Sequence, residues 1–71
     1  MQLTTVESSM IHAAGYDAEG RELEVVFNSG KVYRYRDVDE DVFEELLDAE
    51  SKGRYMQAHV IGVYPYRRTK G

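Results

Sequence analysis

The sequence predicts a small α+β domain of two layers: a three-stranded antiparallel β-meander, followed by an amphipathic helix and a shorter helical turn packed on one sheet face. Three observations carry this reading. Apolar residues recur with a period of two in three short segments up to Arg36. From Asp39 onward the period becomes that of a helix. At 71 residues the chain has room for one core, so the apolar strand face and the helix stripe must bury each other.

The first strand is expected over Met10 to Tyr16, closed by the turn-like cluster Asp17-Ala18-Glu19-Gly20. The second runs from Arg21 to Phe27, where Leu23, Val25 and Phe27 alternate with Glu22, Glu24 and Val26. The third, Lys31 to Arg36, follows through Asn28-Ser29-Gly30, a three-residue hairpin loop whose last position takes positive φ, which glycine adopts without steric cost. Pairing Phe27 with Lys31 sets Val25 against Tyr33 and Leu23 against Tyr35. It also sets Glu24 against Arg34, Glu22 against Arg36 and Val26 against Val32 on the other face. A two-residue loop would instead set the arginines against Val25 and Leu23, and the period of two makes the alternatives exclusive. The longer loop leaves fewer conflicts, and it makes Tyr33 and Tyr35 core residues with hydroxyls at the core's edge.

The helix is expected over Asp39 to Glu50, with Val42, Phe43, Leu46, Leu47 and Ala49 forming its stripe. Asp39, Glu40 and Asp41 place negative charge in the first turn, Asp37 or Asp39 offers a cap, and Val38 is placed to staple onto Val42 or Phe43. Ser51 caps a second helical turn through about His59, with Gly53 loosening its start.

Charge divides unevenly along the chain. Residues 1 to 50 hold all 13 acidic residues against four basic ones, a balance of −9, whereas residues 51 to 71 hold five basic residues and no acid. The net −4 makes a poor general binder of nucleic acid, so only the C-terminal third is suited to that role. Without cysteine there is no disulfide and no thiolate metal site. No apolar run reaches the roughly 20 residues that span a bilayer, and the start MQLTTVESS lacks the regions of a signal peptide. A cytoplasmic protein without membrane contact is expected.

Several residues also carry a family resemblance. Ser8-Ser9-Met10-Ile11 precedes Gly15-Tyr16-Asp17, then come Leu23-Glu24-Val25, Phe27 with Gly30, and the central Tyr33-Arg34-Tyr35. Ala49-x-Ser51-Lys52-Gly53 and Tyr64-Pro65-Tyr66 complete the set. In order and spacing these resemble the KTSC domain, which occurs as stand-alone small proteins and at the C-terminus of some bacterial lysyl-tRNA synthetases. The resemblance covers residues 7–68 as one domain, with residues 1–6 and 69–71 as flexible termini. It implies no established activity, and it suggests RNA as a partner through the synthetase context. Asp39 stands where relatives often carry proline, and Ala58, Ile61 and Val63 stand where similar sequences tend to be polar or basic.

Catalytic chemistry finds little footing. The carboxylates Asp39-Glu40-Asp41 and Glu44-Glu45 lie on a solvated helix face rather than in a cleft that would push their pKa values apart. His12 and His59 lack metal-ligand spacing, the serines lack a nucleophile elbow, and no glycine-rich phosphate loop is present. No enzyme, cofactor or metal is expected. The basic-aromatic residues are the candidate nucleic-acid site: Lys52, Arg54, Tyr55, Tyr66, Arg67 and Arg68, with Arg34 and Tyr35 at its edge. The alternatives are that these residues only pack and balance charge, or that the domain contacts itself, another protein or a small nucleotide. That contact would use an apolar second face of Ile11, Val26 and Val32 with Ile61 and Val63.

Overall fold

The computed structural model of the protein describes residues 3–5 and 10–70. Among these residues five strands form one antiparallel meander, each hydrogen-bonded to its neighbours in chain order: β1 (Leu3–Thr5), β2 (Ile11–Asp17), β3 (Glu22–Phe27), β4 (Val32–Tyr35) and β5 (Tyr66–Lys70). Two helices, α1 (Glu40–Asp48) and α2 (Lys52–His59), lie between β4 and β5 in the chain. The expected three strands are the central ones. Leu3–Thr5 and Thr69–Lys70, read as flexible ends, lie in the two edge strands. Among the described residues no helix is long and apolar enough to cross a membrane.

The β3–β4 hairpin has the register that a three-residue loop dictates. The Phe27 N–H donates to the Lys31 carbonyl at 2.9 Å, and the Gly30 N–H donates back to the Phe27 carbonyl at 2.9 Å. Gly30 sits at φ 93°, in the region that a side chain strains. Leu23 then pairs with Tyr35, Glu24 with Arg34, Val25 with Tyr33 and Val26 with Val32. One charge pairing differs from expectation. Arg34 takes both carboxylates, with Nε 2.9 Å from Glu24 and Nη1 2.9 Å from Glu22. Arg36 lies past the end of β4, where its N–H donates to the Pro65 carbonyl.

The first strand corrects the expected second face. The register shifts between Ile11 and Ala13, so that Ile11 pairs with Phe27 while Ala13 pairs with Val26. This irregularity adds one residue, His12, to β2 and returns Ile11 to the helix-bearing face. Ile11 is fully buried in the core and does not join Val26 and Val32 on the reverse side.

The core unites Ile11, Ala14, Leu23, Val25 and Tyr35 from the sheet with Val38, Leu46, Met56 and Val60 from the segments laid over it. At its rim Tyr16 stacks on Phe43 of α1, with ring centroids 5.9 Å apart, and donates its hydroxyl proton to the Val38 carbonyl. Val38 at the helix entry is buried in the same cluster. Helix α1 starts after Asp39, but neither expected aspartate caps it with its side chain. The Asp39 carboxylate accepts from Arg21 Nη2 at 2.6 Å, and Asp37 stands at φ 60° in the preceding turn. Ser51 does cap α2, its hydroxyl accepting from the Arg54 N–H at 3.3 Å. Gly53 permits close approach: a Cβ there would lie 3.3 Å from the Met10 side chain.

Two outcomes check this frame. At Gly30 a Cβ would meet nothing within 4 Å, so Gly30→Ala isolates backbone strain. It should lower the unfolding free energy by about 1 kcal/mol in urea titration, and an unchanged midpoint would show that the turn lacks positive φ. The second concerns Tyr35, only 2% exposed, whose phenol is pushed by burial from 10.0 up to about 12. In between, the unfolded chain has released a proton that the fold retains. Stability is therefore whole below pH 10.0 and falls as pH rises toward about 12. Tyr55, raised to about 12 by burial and its bond to Glu45, adds in the same direction. Urea midpoints measured across this window should decline less steeply in Tyr35→Phe than in the parent, and equal slopes would mean that Tyr35 is not buried.

Candidate nucleic-acid interface

The alternation of β4 and β5 builds an aromatic surface beside the part of the sheet that the helices cover. Tyr33 and Tyr35 point to the helix-bearing face because their partners Val25 and Leu23 do. Tyr66 pairs with Tyr35, and Arg68 pairs with Tyr33, which brings both onto that same face. Tyr33 and Tyr66 stack nearly parallel, with centroids 4.9 Å apart and planes 11° apart, while Phe27 meets Tyr33 edge-on at 5.3 Å. Tyr35 lies tilted against both tyrosines at 6.4 and 5.6 Å. Such pairs hold their geometry as well as burying area.

These rings wall an open cleft of about 260 Å³, lined by Met10, Phe27, Ser29, Lys31, Tyr33, Tyr35, Ile61 and Tyr66. Its other boundary comes from the end of α2. The chain buries Val60, whose carbonyl accepts from the Val63 and Tyr64 N–H groups at 3.1 and 3.2 Å, and turns through Gly62 at φ 81°. It then enters β5 through Pro65. The turn leaves Ile61, Val63 and Tyr66 at 39%, 58% and 56% exposed. Among the described residues none that lines the cleft is acidic, although the chain carries 13 acids.

The residues proposed from sequence divide among three places. Tyr66 and Tyr35 line the cleft, and Arg68 stands on the same face in register with Tyr33. Arg34 and Arg67 pair with each other across the β4–β5 ladder on the reverse face. There Arg34 is held by Glu22 and Glu24, and its bond to Glu24 above all raises its pKa further. Arg67 Nη2 lies 4.0 Å from Glu22. Lys52, Arg54 and Tyr55 belong to α2. Lys52 Nζ donates to the Ala49 carbonyl at 2.8 Å, Arg54 is exposed, and Tyr55 donates to Glu45 at 2.9 Å with its ring 4.6 Å from His59. The start of α2 adjoins the cleft through Met10, which lines the cleft and also approaches Gly53 between Lys52 and Arg54.

The apolar alternative divides too. Ile11 is core, Val26 and Val32 are half-buried on the reverse face, and Ile61 and Val63 are exposed near the cleft. Phe27, Ser29, Lys31, Tyr33 and Met10 line the cleft but were not among the expected site residues, Tyr33 being expected as core. The readable signal for them is the hairpin register itself, which puts Phe27 beside Tyr33 and Lys31 at the head of β4.

Comparison with known proteins places these features in a family. The KTSC domain matches residues 7–64, ending just before β5. A protein of Tsukamurella paurometabola is 47% identical over 55 residues, covering 78% of this chain and 82% of that protein. An uncharacterized protein of Stutzerimonas stutzeri is 44% identical over 55 residues, 78% of each chain. A lysine–tRNA ligase of Nostoc sp. is 37% identical over 62 residues, 87% of this chain but 11% of the ligase. The crystal structure of a KTSC domain protein from Yersinia pestis superposes with a TM-score of 0.93 at 34% identity, over 96% of both chains, so that the likeness extends across the edge strands as well. With sequence and fold both matched over most of its length, the chain belongs to the KTSC domain family.

Proposed function

We propose that this chain is a non-enzymatic binding domain that holds RNA weakly on the helix-bearing face of the β4–β5 edge. The observation that carries the reading is the Tyr33–Tyr66 stack, open to solvent at Tyr66, with Lys31 at the cleft and Arg68 on the same face. Flat rings give unpaired bases a surface to stack on, and nearby cations release counterions from phosphates. Arg54 at the start of α2 extends the cationic side, whereas Arg34 and Arg67 serve the carboxylates of the reverse face. Supporting context comes from the Nostoc lysine–tRNA ligase, a protein named for work on tRNA that contains a segment like this one.

A second reading has its own observation. Ile61, Val63 and Tyr66 are large apolar side chains left exposed within six residues of the chain, which suits a protein contact, including one with another copy of the chain.

Salt separates the two. Fluorescence anisotropy with labelled transfer RNA and a single-stranded oligonucleotide should give saturable binding that weakens steeply as salt rises. Arg68→Ala should weaken binding and reduce the slope of log affinity against log salt by about 0.7, with Arg67→Ala changing it less. Binding that ignores salt, or that depends on Arg67 more than on Arg68, would favour the apolar contact or the reverse face instead.

A further inference from the structure

We infer that the cleft takes a single unstacked nucleobase of an RNA strand, with the Tyr33–Tyr66 stack as its wall and Lys31 at its mouth meeting the strand's phosphate. This rests on the RNA reading and goes beyond it, because it separates base capture from phosphate attraction.

Size is the first argument. The cleft of about 260 Å³ exceeds the roughly 150 Å³ cavity that accepts benzene, and it falls below the roughly 300–1,000 Å³ typical of drug-sized ligands. One planar heterocycle fits that interval better than two stacked ones. Shape is the second. Tyr33 and Tyr66 lie within 11° of parallel, Phe27 stands at 70° to Tyr33, and Ile61 supplies an aliphatic side. A flat, polarisable ring fills such a space with dispersion contacts that an alkyl chain would make less completely.

Charge is the third argument, and it excludes the other common guest of an aromatic cluster. Tyrosine rings also attract quaternary ammonium groups. Here, among the described residues, the only charged one lining the cleft is Lys31, and Arg68 stands beside Tyr33 in the ladder, so a cationic guest is repelled and an anionic strand is drawn in. The reverse face shows the contrast, since its arginines already face Glu22 and Glu24. Tyr35, a core residue only 2% exposed, also lines the cleft.

The test compares a labelled single-stranded hexa-adenylate with the same sugar–phosphate chain carrying abasic riboses, by anisotropy at fixed low salt. The expected result is about 5- to 150-fold tighter binding of the base-bearing strand, the range that stacking supplies. Tyr66→Leu, which removes the ring but keeps apolar bulk at an exposed position, should erase that difference, and Tyr66→Trp should retain it. Lys31→Ala should weaken both strands alike. Equal affinities for the two strands in the parent protein, or a difference that survives Tyr66→Leu, would overturn base capture while leaving phosphate-driven RNA binding standing. No binding of either strand would overturn the RNA reading and this inference together. Adenosine monophosphate displacing the strand at equal concentration would make the guest a free nucleotide and overturn its assignment to RNA.

Discussion

Most of this structure depends on the register of one hairpin. The loop Asn28-Ser29-Gly30 closes with the Phe27–Lys31 backbone pair and a glycine at φ 93°, and everything from Val32 to Tyr35 inherits its side from that closure. A slip of one residue would turn Tyr33 and Tyr35 to the reverse face and turn Arg34 toward the core. The penalty of burying an unpaired guanidinium makes that alternative prohibitive. The same closure fixes β5, because Tyr66 and Arg68 take their side from Tyr35 and Tyr33.

The register also sorts the charges. On the reverse face Arg34 sits between Glu22 and Glu24, half-buried, where one guanidinium satisfies two carboxylates that would otherwise repel. Arg67 from β5 approaches the same group. Acidic α1 keeps Glu40 and Asp41 in its first turn, where the helix dipole favours them. What remains near the cleft is cationic, so a chain of net −4 presents a local face of the opposite sign.

The elements that were legible in the sequence are those whose pattern is enforced by burial. Leu23, Val25, Tyr33 and Tyr35 alternate because one face is core. The α1 stripe has helical spacing because Leu46 must reach that core, and Ser51 signals the start of α2 through a local bond. The edge strands obey other constraints. Leu3–Thr5 is short and mostly polar, and Tyr66–Lys70 carries cations that keep an open edge from pairing further, so neither has apolar alternation. The irregularity in β2 is equally silent, since nothing local marks His12 as the added residue, and it moved Ile11 from the expected surface patch into the core. For the site, the residue types of Tyr66 and Arg68 were readable but their setting was not. The cleft draws Phe27, Tyr33, Ile61 and Tyr66 from different segments: the β3–β4 hairpin brings Phe27 to Tyr33, but it takes the pairing of β5 with β4 to add Tyr66 and the turn after α2 to add Ile61.

The claim that the helix-bearing face of the β4–β5 edge is where this domain meets its ligand can be tested by mapping the contact directly. The measurement is a two-dimensional NMR titration of the labelled protein with a short single-stranded RNA, following both amide and aromatic-ring signals. The largest shifts should fall at the rings of Phe27, Tyr33 and Tyr66 and at Lys31, Ile61 and Arg68, with Glu22, Glu24 and Arg34 nearly unmoved. Shifts centred instead on Arg34 and Arg67, or on Tyr55 and His59 of α2, would contradict it.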